Sequence, residues 1–453
     1  MDMGARPTLL HRLEAIGSLV LVAVVVLATL VQLLDEPGFA LLQLVLLIVA
    51  VCGLWVGLTR TGAARVIGWA VVVASLVATA ATLLGSDGLP LVSLVIRIVL
   101  LAVAVGLAKD ALGTTSRSLR EATVPGTPAA PAARGVLFMN LKSGGGKPER
   151  FDLVAECRRR NIEPVVLQHG EDWLARMREV AASGVDVLGM AGGDGSQALV
   201  ATVAAEHGLP IVVVPAGTRN HLALDLGLDR DDVVGALDAY GEAVERSLTV
   251  AEVNGRAFVN NVSLGLYAAI VRSPAYRDNK VDTTLSVLPE VLGPGAEPFD
   301  LRFTEPDGDE HEGAHLIQVS NNPYGTTGAV GSRPRLDTGT LGVITLDLRE
   351  QGGAAAFFAA VATGHPERFA GFRSWTSPSF EVRSDGPVDV GLDGEAQELE
   401  PPLRFSVLPT HVRVRLPSHA PGYSPAALSL SGRDSVRELW GVVRGTPSRF
   451  RPA

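Results

Sequence analysis

Residues 191–227 read AGGDGSQALVATVAAEHGLPIVVVPAGTRNHLALDLG. The stretch predicts two strand–turn–helix units in succession. The first turn, Gly192-Gly193-Asp194-Gly195-Ser196, follows the apolar run 185–190, and the second, 215–220 (PAGTRN), follows the apolar run 211–214. Turns at the carboxyl ends of neighbouring parallel strands face one crevice, and the N-termini of the following helices attract anions. The sequence therefore predicts a phosphate-binding cleft.

The residues around this stretch extend the same pattern. From residue 136, β-branched runs (VLFMN, PVVLQ, VDVLGM, PIVVVP) alternate with helical stretches such as 151–160 and 172–182. This βαβ repetition predicts an α/β nucleotide-binding domain with a parallel sheet over residues 135–247.

Past residue 247 the pattern changes to short strands separated by turn signals. Asn254-Gly255 and Asp393-Gly394 are hairpin dipeptides. They predict a second, mainly antiparallel β domain over residues 248–417. Helical insertions are expected at 283–292 and 354–363.

The first 112 residues have the composition of a membrane region. Hydrophobic residues make up 47% of the 453-residue chain, and its mean hydropathy is +0.27. The excess lies in four runs of about 20 residues, the length that crosses a bilayer. These runs are 16–34, 37–59, 66–86 and 89–107. We predict four transmembrane helices within residues 1–112.

Charges flank the four runs alternately and predict their orientation. The basic flanks hold Arg6, Arg12, Arg60, Arg65, Lys109, Arg117 and Arg120, and the acidic flanks hold Asp35, Glu36 and Asp87. By the positive-inside rule, both termini lie in the cytosol and the protein is a multi-pass membrane protein. Residues 113–134 are rich in Pro, Ala, Thr and Ser and predict a linker. Residues 418–453 form a C-terminal tail with a short amphipathic stretch at 436–443.

The remaining composition narrows the function. The net charge is −9 and no long basic run occurs, so nucleic acid is not an expected partner. The two cysteines, Cys52 and Cys157, form no disulfide framework, which fits a reducing compartment.

Four motifs occur in the order of one family: GGDGS at 192–196, PAGTRN at 215–220, LDTGTL at 336–341 and LDGE at 392–395. With these motifs the chain resembles the diacylglycerol kinase catalytic-domain family over roughly residues 135–417. The resemblance implies a membrane-anchored kinase that transfers the γ-phosphoryl group of ATP, with Mg²⁺, to a lipid hydroxyl, with diacylglycerol as the first choice and phosphatidic acid as product. A kinase for a long-chain base or a polyprenol stays open, as does a non-catalytic nucleotide-binding sensor.

The resemblance also implies site residues. The nucleotide-binding residues lie in three polar turns: Asn140, Lys142, Ser143, Gly192, Gly193, Gly195, Ser196, Gly217, Thr218 and Asn220. Two positions depart from the family pattern, because Leu141 replaces a proline and His221 replaces an aspartate. If that aspartate belongs to a magnesium network, the network is weakened or passes to Asp225.

Three carboxylates are expected to carry the chemistry. A lipid hydroxyl has a pKa far above 7, so it needs a positioned base as phosphorus is attacked. By resemblance Asp393 is that base, Glu395 supports metal or phosphate, and Asp194 lies near phosphates and metal. Asp194 is the rival choice for the base. Asp194 and Asp337 are the expected metal ligands, although Asp337 also fits a surface turn and Asp393 a plain hairpin turn.

Several competing interpretations are disfavoured by the residues themselves. Residues 193–198 fit the dinucleotide fingerprint G-x-G-x-x-A, but no acidic residue follows at the end of the next strand. His311 to His315 satisfies H-E-x-x-H, yet Gly313 interrupts it and a strand-like run follows. Arg97, in the fourth apolar run, is expected to face the helix bundle or a watery cavity. The expected partners are the lipid substrate and the bilayer, and a homodimer stays open.

Overall fold

The computed structural model describes residues 7–35, 37–59, 62–85, 89–112, 126–266, 297–325, 333–349, 353–362, 365–420, 422 and 432–446. The chain divides into two units. One contains residues 1–122, 279–296 and 430–453, and the other contains 123–278 and 297–429. The helix expected at 283–292 lies outside the described residues.

The helices follow the predicted order. They are α1 Leu9–Asp35, α2 Pro37–Thr59, α3 Gly62–Gly85, α4 Leu89–Leu112, α5 Ser143–Arg150, α6 Leu153–Arg159, α7 Trp173–Ala181, α8 Asp194–His207, α9 His221–Asp225, α10 Gly353–Ala362 and α11 Gly432–Val443. Short 3₁₀ helices cover Gly235–Tyr240 and Pro366–Arg368. The predicted helices near 354–363 and 436–443 are confirmed as α10 and α11.

The strands lie mostly after residue 240. They are β1 Thr127–Ala129, β2 Gly135–Met139, β3 Glu163–Val166, β4 Val187–Gly192, β5 Ile211–Pro215, β6 Ala243–Leu248, β7 Ala251–Val253, β8 Arg256–Phe258, β9 Asn261–Gly265, β10 Phe303–Thr304, β11 Glu310–His311, β12 Leu316–Asn321, β13 Leu341–Leu346, β14 Phe372–Ser377, β15 Ser379–Val382, β16 Val388–Leu392, β17 Glu395–Leu399, β18 Leu403–Val407 and β19 Val412–Pro417.

The first unit consists of long apolar helices. Helix α1 packs on α4, α2 packs on α3, and α11 packs on both α1 and α4. Three described stretches, Leu9–Gln32, Pro37–Leu54 and Val92–Leu112, are long and apolar enough to cross a membrane, whereas the apolar stretch Val66–Thr82 in α3 is shorter. All four predicted helices are present, and the fourth crossing stays a prediction.

Arg97 contacts a neighbouring helix within this unit. Its Nη2 donates to the carbonyl oxygen of Ala28 in α1 at 3.2 Å. Arg97 also lines a cavity of about 380 Å³ whose walls come from α1 and α4. This fits the expectation that an arginine within an apolar span turns toward another helix or a cavity.

The second unit begins with a seven-stranded sheet in the order β1-β6-β19-β5-β4-β2-β3. Strands β2 to β5 are parallel, as predicted, and β19 is parallel to β5, while β6 and β1 run antiparallel. The sheet is therefore mixed, not purely parallel. Strand β19 comes from the end of the region assigned by sequence to the β domain, because the chain returns to complete the first sheet.

The rest of this unit is antiparallel. A six-stranded sheet has the order β14-β13-β12-β9-β16-β17, and a four-stranded sheet has the order β15-β18-β7-β8. Both predicted hairpins are confirmed, because Asn254 and Gly255 join β7 to β8, and Asp393 and Gly394 join β16 to β17, all at positive φ as a type I′ turn requires. His311 lies in strand β11, so the H-E-x-x-H sequence is not helical.

A tyrosine fixes the packing of the first sheet. The ring of Tyr240 lies over two strands, and its hydroxyl donates to the carbonyl oxygen of Val136 at 2.7 Å. The close approach requires glycine, since a Cβ at Gly189 would lie 2.0 Å from the Tyr240 hydroxyl oxygen and one at Gly135 would lie 2.4 Å from its ring.

We predict that Gly189→Ala lowers the free energy of unfolding by about 1–3 kcal/mol through overpacking. Tyr240→Phe should cost about 1 kcal/mol by removing one hydrogen bond. Thermal unfolding in detergent can be followed by dye labelling of Cys157 in Cys52→Ala protein. Burial raises the pKa of the Cys157 thiol to about 12, so the folded protein does not react.

The double variant tests the cause of this effect. Removing the hydroxyl should relieve part of the Gly189→Ala clash, so the two costs should sum to more than the cost of the double variant. Gly386→Ala is the matched control, because a Cβ there meets nothing within 4 Å. Strict additivity of the two changes would contradict the proposed contact.

Candidate active site

The three predicted polar turns lie against one another. A Cβ at Gly144 would lie 2.3 Å from the carbonyl oxygen of Ala216, and one at Gly217 would lie 2.4 Å from Cα of Gly193. The amide of Gly217 donates to the carbonyl oxygen of Gly192 at 3.0 Å. Glycine is therefore required at these positions because the turns are in direct contact, and the predicted nucleotide residues share one edge of the first sheet.

Asp194 holds the second turn in place. It is the first residue of α8 and is buried. Its Oδ2 accepts the amide of His221 at 3.0 Å, and its Oδ1 accepts that of Leu222 at 3.1 Å. The first amides of helix α9 are therefore bound to a carboxylate, and they do not present the anion site that the strand–turn–helix pattern predicted for this turn.

Asn220 likewise serves its own turn. The residue is buried with φ 52°, its Oδ1 accepts the Gly217 amide at 2.9 Å, and its Nδ2 donates to the carbonyl oxygens of Pro215 and Gly217. The side chain of Thr218 is exposed. Of the predicted nucleotide residues in this turn, Thr218 is thus placed to reach a ligand, whereas Asn220 shapes the backbone.

The turn after strand β2, at residues 140–146, is more open. Asn140 Oδ1 accepts the amide of Lys142 at 3.1 Å, and the Lys142 side chain is exposed. Gly144, Gly145 and Gly146 follow with positive φ, in the left-handed region that glycine adopts without strain. Leu141 does not stiffen this turn as a proline would, but the glycine contact with Ala216 fixes where it ends.

Asp393 stands at the hairpin between β16 and β17. Its carboxylate accepts three backbone amides, from Val259 at 3.0 Å, Asn260 at 2.9 Å and Asn261 at 3.1 Å. Burial, followed by the negative charge of Asp194, raises the pKa of Asp393 to about 7, against the effect of the amides. A carboxylate with this pKa is suited to accept a proton near neutral pH.

A buried arginine connects the two lobes of the unit. Arg333 has no exposed surface. Its Nε donates to Asp225 Oδ2 at 2.6 Å, and its Nη1 donates to the carbonyl oxygens of Val259 at 2.6 Å and Asn321 at 2.8 Å, with a longer bond to Asn260 at 3.3 Å. One guanidinium thus joins helix α9 to the strand ends that hold Asp393.

Arg333 is not predicted by any sequence pattern. It lies outside the four motifs, three residues before the LDTGTL motif. An arginine in a polar loop is expected to be solvent-exposed. The only available signal was the search for a partner of Asp225, the residue named as a replacement for the missing aspartate at 221.

His221 contributes no positive charge to this region. Burial lowers the pKa of its imidazole, although the charges of Asp194 and Asp225 act in the opposite direction. Burial also raises the pKa of Asp194. The positive charge of Arg333 therefore acts on the carboxylates of Asp194, Asp225 and Asp393.

A cavity of about 700 Å³ is lined by Glu395, one of the three predicted catalytic carboxylates, and by chain neighbours of the other two. Gly195 and Ser196 of α8 line one side, and Leu392 and Glu395 of the hairpin line another. A Cβ at Gly195 would lie 3.6 Å from Glu395 Oε1. The rest of the lining mixes apolar side chains with charged ones: Trp173, Leu174, Leu199 and Leu408 with Arg178, Glu206, Glu252 and Arg256. The cavity combines an apolar lining with carboxylate and hydroxyl groups, as ligand sites do.

The predicted metal ligands do not form a metal site. Asp337 pairs with Arg335 at 3.0 Å on an exposed turn, and Asp194 is bound to backbone amides. Among the described residues, no group of three or more His, Cys, Asp or Glu side chains is arranged to hold a metal ion. The donor set in the described part of the chain therefore does not fit a resident Mg²⁺.

Comparison with known proteins identifies the fold. Residues 134–253 match the family described as "Diacylglycerol kinase catalytic domain". The chain is 35% identical over 85 residues to "Diacylglycerol kinase" of Bacillus subtilis (strain 168), a match that covers 18% of this chain and only 28% of that protein. It is 26% identical over 302 residues to "Probable lipid kinase YegS-like" of Stenotrophomonas maltophilia (strain K279a), covering 63% of this chain and 96% of the relative.

A solved structure matches the same region. The crystal structure of a diacylglycerol kinase from Bacillus anthracis str. Sterne is 20% identical, covers 66% of this chain and 99% of its own, and has a TM-score of 0.46. The sequence matches show that the protein is an enzyme, a lipid kinase. The match over residues 134–253 confirms, for that stretch of the chain, the family predicted from the four motifs.

We predict that Arg333→Met lowers the free energy of unfolding by about 3–5 kcal/mol, because Asp225 is left buried without its charge partner. Arg335→Met is the matched control, since its exposed pair with Asp337 contributes about 0–1 kcal/mol. Labelling of Cys157 during thermal unfolding measures both. If Arg333→Met does not fold, Arg333→Lys serves in its place. Lysine keeps the charge but lacks the several N–H groups of the guanidinium, so the loss in free energy of unfolding should be intermediate. Equal effects at 333 and 335 would contradict the structural role of Arg333.

Proposed function

We propose that this protein is an ATP-dependent kinase that phosphorylates a lipid hydroxyl, with diacylglycerol as the acceptor and phosphatidic acid as the product. The observation that carries the proposal is Asp393, a carboxylate with a pKa of about 7 that three amides fix in place. The adjoining residue Leu392 lines the cavity of about 700 Å³ beside Gly195.

ATP is the proposed co-substrate and binds along the three contacting turns. The exposed side chains of Lys142 and Thr218, together with the backbone of Gly193 and Gly195, are the groups left to contact its phosphates. Mg²⁺ is proposed to arrive with the nucleotide, since this ion keeps several waters and is commonly held by substrate phosphates. No step below depends on a protein-bound metal.

The acceptor is proposed to enter the cavity with its hydroxyl toward Asp393. As the hydroxyl oxygen attacks the γ-phosphorus, its proton passes to the Asp393 carboxylate, the bond between the γ-phosphorus and the bridging oxygen breaks, and ADP leaves. Fixed amides hold the carboxylate, so its orientation costs little at the moment of reaction. The apolar walls, including Trp173 and Leu199, suit the acyl part of the substrate near its headgroup.

Asp194 is proposed to act mainly by position and charge. Both of its oxygens accept amides of helix α9, so it shapes the nucleotide turn, and its charge raises the pKa of Asp393. Asp393 is the proposed base because its pKa of about 7 suits a proton acceptor near neutral pH. Glu395 is exposed at the cavity wall and is proposed to lie toward the phosphate end of the reaction.

The proposed location is the cytosolic face of a membrane, with ATP supplied from the cytosol. The basic flanks of the apolar helices support this orientation. Two alternatives differ in acceptor or in turnover: a long-chain base or polyprenol kinase, and a sensor that binds nucleotide without transfer. The side chains of Asn220 and Asp194 are engaged in hydrogen bonds within the protein. This observation is the reason to test the sensor.

We predict that Asp393→Asn lowers the turnover number by about 10²–10⁴-fold while leaving ATP affinity close to that of the wild type. The assay measures transfer of labelled γ-phosphate from ATP to diacylglycerol by detergent-purified protein. Asp389→Asn, on the same strand β16, is the matched control and should retain activity. Full activity in Asp393→Asn would remove it as the base.

Asp194→Asn separates the two carboxylates. An amide in place of this carboxylate directs one N–H group toward an amide of helix α9, so nucleotide affinity should fall first. If Asp194→Asn alone abolished transfer at saturating ATP, the two roles would be exchanged. Label in another extracted lipid would replace diacylglycerol as acceptor, and ATP binding without any labelled lipid would favour the sensor.

We predict a pH profile with one ascending limb near pH 7. The base must be charged to accept a proton, and burial raises the pKa of Asp393 to about 7. The ratio kcat/KM should therefore fall about tenfold per pH unit below 7 and level off above it. Cys157 labelling at each pH controls for unfolding. A flat profile between about pH 5.5 and 8 would contradict the assignment.

A further inference from the structure

The C-terminal helix α11 packs on the ends of two apolar helices. Its Leu439 and Val442 are buried against Ala15 of α1 and against Ala111 and Leu112 of α4. The Arg12 Nε donates to the carbonyl oxygen of Val443 at 2.9 Å, which ties the end of α11 to α1. Helix α11 is thus an integral part of the helical unit.

The contact lies where the apolar helices become charged. On α1, Arg12 and Glu14 precede Ala15, and on α4, Lys109 and Asp110 precede Ala111. Charged residues at the ends of apolar spans mark the boundary between hydrocarbon and water. If α1 and α4 cross a membrane, α11 therefore lies at the headgroup level.

Helix α11 has a second apolar edge that the described residues leave about half exposed. Val436 and Trp440, one helical turn apart, are 46% and 50% exposed. By helical geometry this edge is about a quarter turn from the face that Leu439 and Val442 bury. Glu438 lies on the far side from Trp440. Helix α11 is therefore apolar on two edges and polar on a third.

We propose that α11 is an interfacial helix whose Val436–Trp440 edge is buried in the headgroup region of the bilayer that α1 and α4 cross. Tryptophan favours this region because its ring is apolar and its N–H group needs a polar partner. Arg437 and Arg444 fall beside this edge, and such residues favour anionic lipids. The occupant is the lipid surface, because the packing on α1 and α4 holds this edge at the boundary.

This proposal concerns membrane association and does not rest on the proposed catalytic activity. It does rest on α1 and α4 crossing the membrane. It assigns the tail a function as a second membrane attachment, so that the spans and α11 together fix the orientation of the helical unit at the surface. An amphipathic helix of this kind binds through apolar burial and through attraction to anionic lipids.

The test places a nitroxide spin label at Trp440→Cys and, as matched control, at Glu438→Cys. Both variants use the full chain with Cys52→Ala in vesicles of phosphatidylcholine and phosphatidylglycerol, and buried Cys157 is left unlabelled, as the Cys52→Ala parent verifies. Oxygen concentrates in the bilayer, whereas a nickel chelate stays in water. The ratio of oxygen to nickel accessibility should be several-fold higher at 440 than at 438.

Two outcomes would overturn the proposal. Equal nickel accessibility at 440 and 438 would place the Trp440 edge in water. If both reagents were excluded at 440 and the spectrum were broadened by the spin label of a second copy, another copy of the chain would cover this edge. Val436→Cys provides a second position, and its label must report the same environment as the label at 440. Cys157 labelling on heating confirms that each variant remains folded.

Discussion

The fully buried guanidinium of Arg333 is the constraint on which the catalytic unit depends. It binds Asp225 in the α/β lobe and the carbonyl oxygens of Val259 and Asn321 in the β lobe. A charge without water must be paired and hydrogen-bonded, so its partners are fixed relative to one another. The segment that joins β8 to β9 carries Val259 and also supplies amides that hold Asp393, so Arg333 fixes the position of the proposed base relative to helix α9.

The same guanidinium explains why the carboxylates differ in character. Asp225 is paired directly with Arg333, whereas Asp194 is stabilised by amides at the start of helix α9. Asp393 receives amides too, but it also feels the negative charge of Asp194, and its pKa rises to about 7. With this pKa, Asp393 can accept and release a proton near neutral pH.

The sequence predicted local elements better than long-range pairings. The strand–turn–helix units around Asp194 and the hairpin at Asp393 follow from residues adjacent in the chain, and both are present. The return of β19 to the first sheet and the engagement of Asn220 within its own turn depend on packing that no local pattern encodes. Arg333 was missed for the same reason, because burial of a charge is decided by distant partners.

The replacement of the family aspartate by His221 is consistent with this charge balance. An aspartate there would add a further negative charge beside Asp194 and Asp225. Burial lowers the pKa of His221, so the residue is neutral and adds no charge of either sign. Its backbone amide still binds Asp194, which preserves the turn.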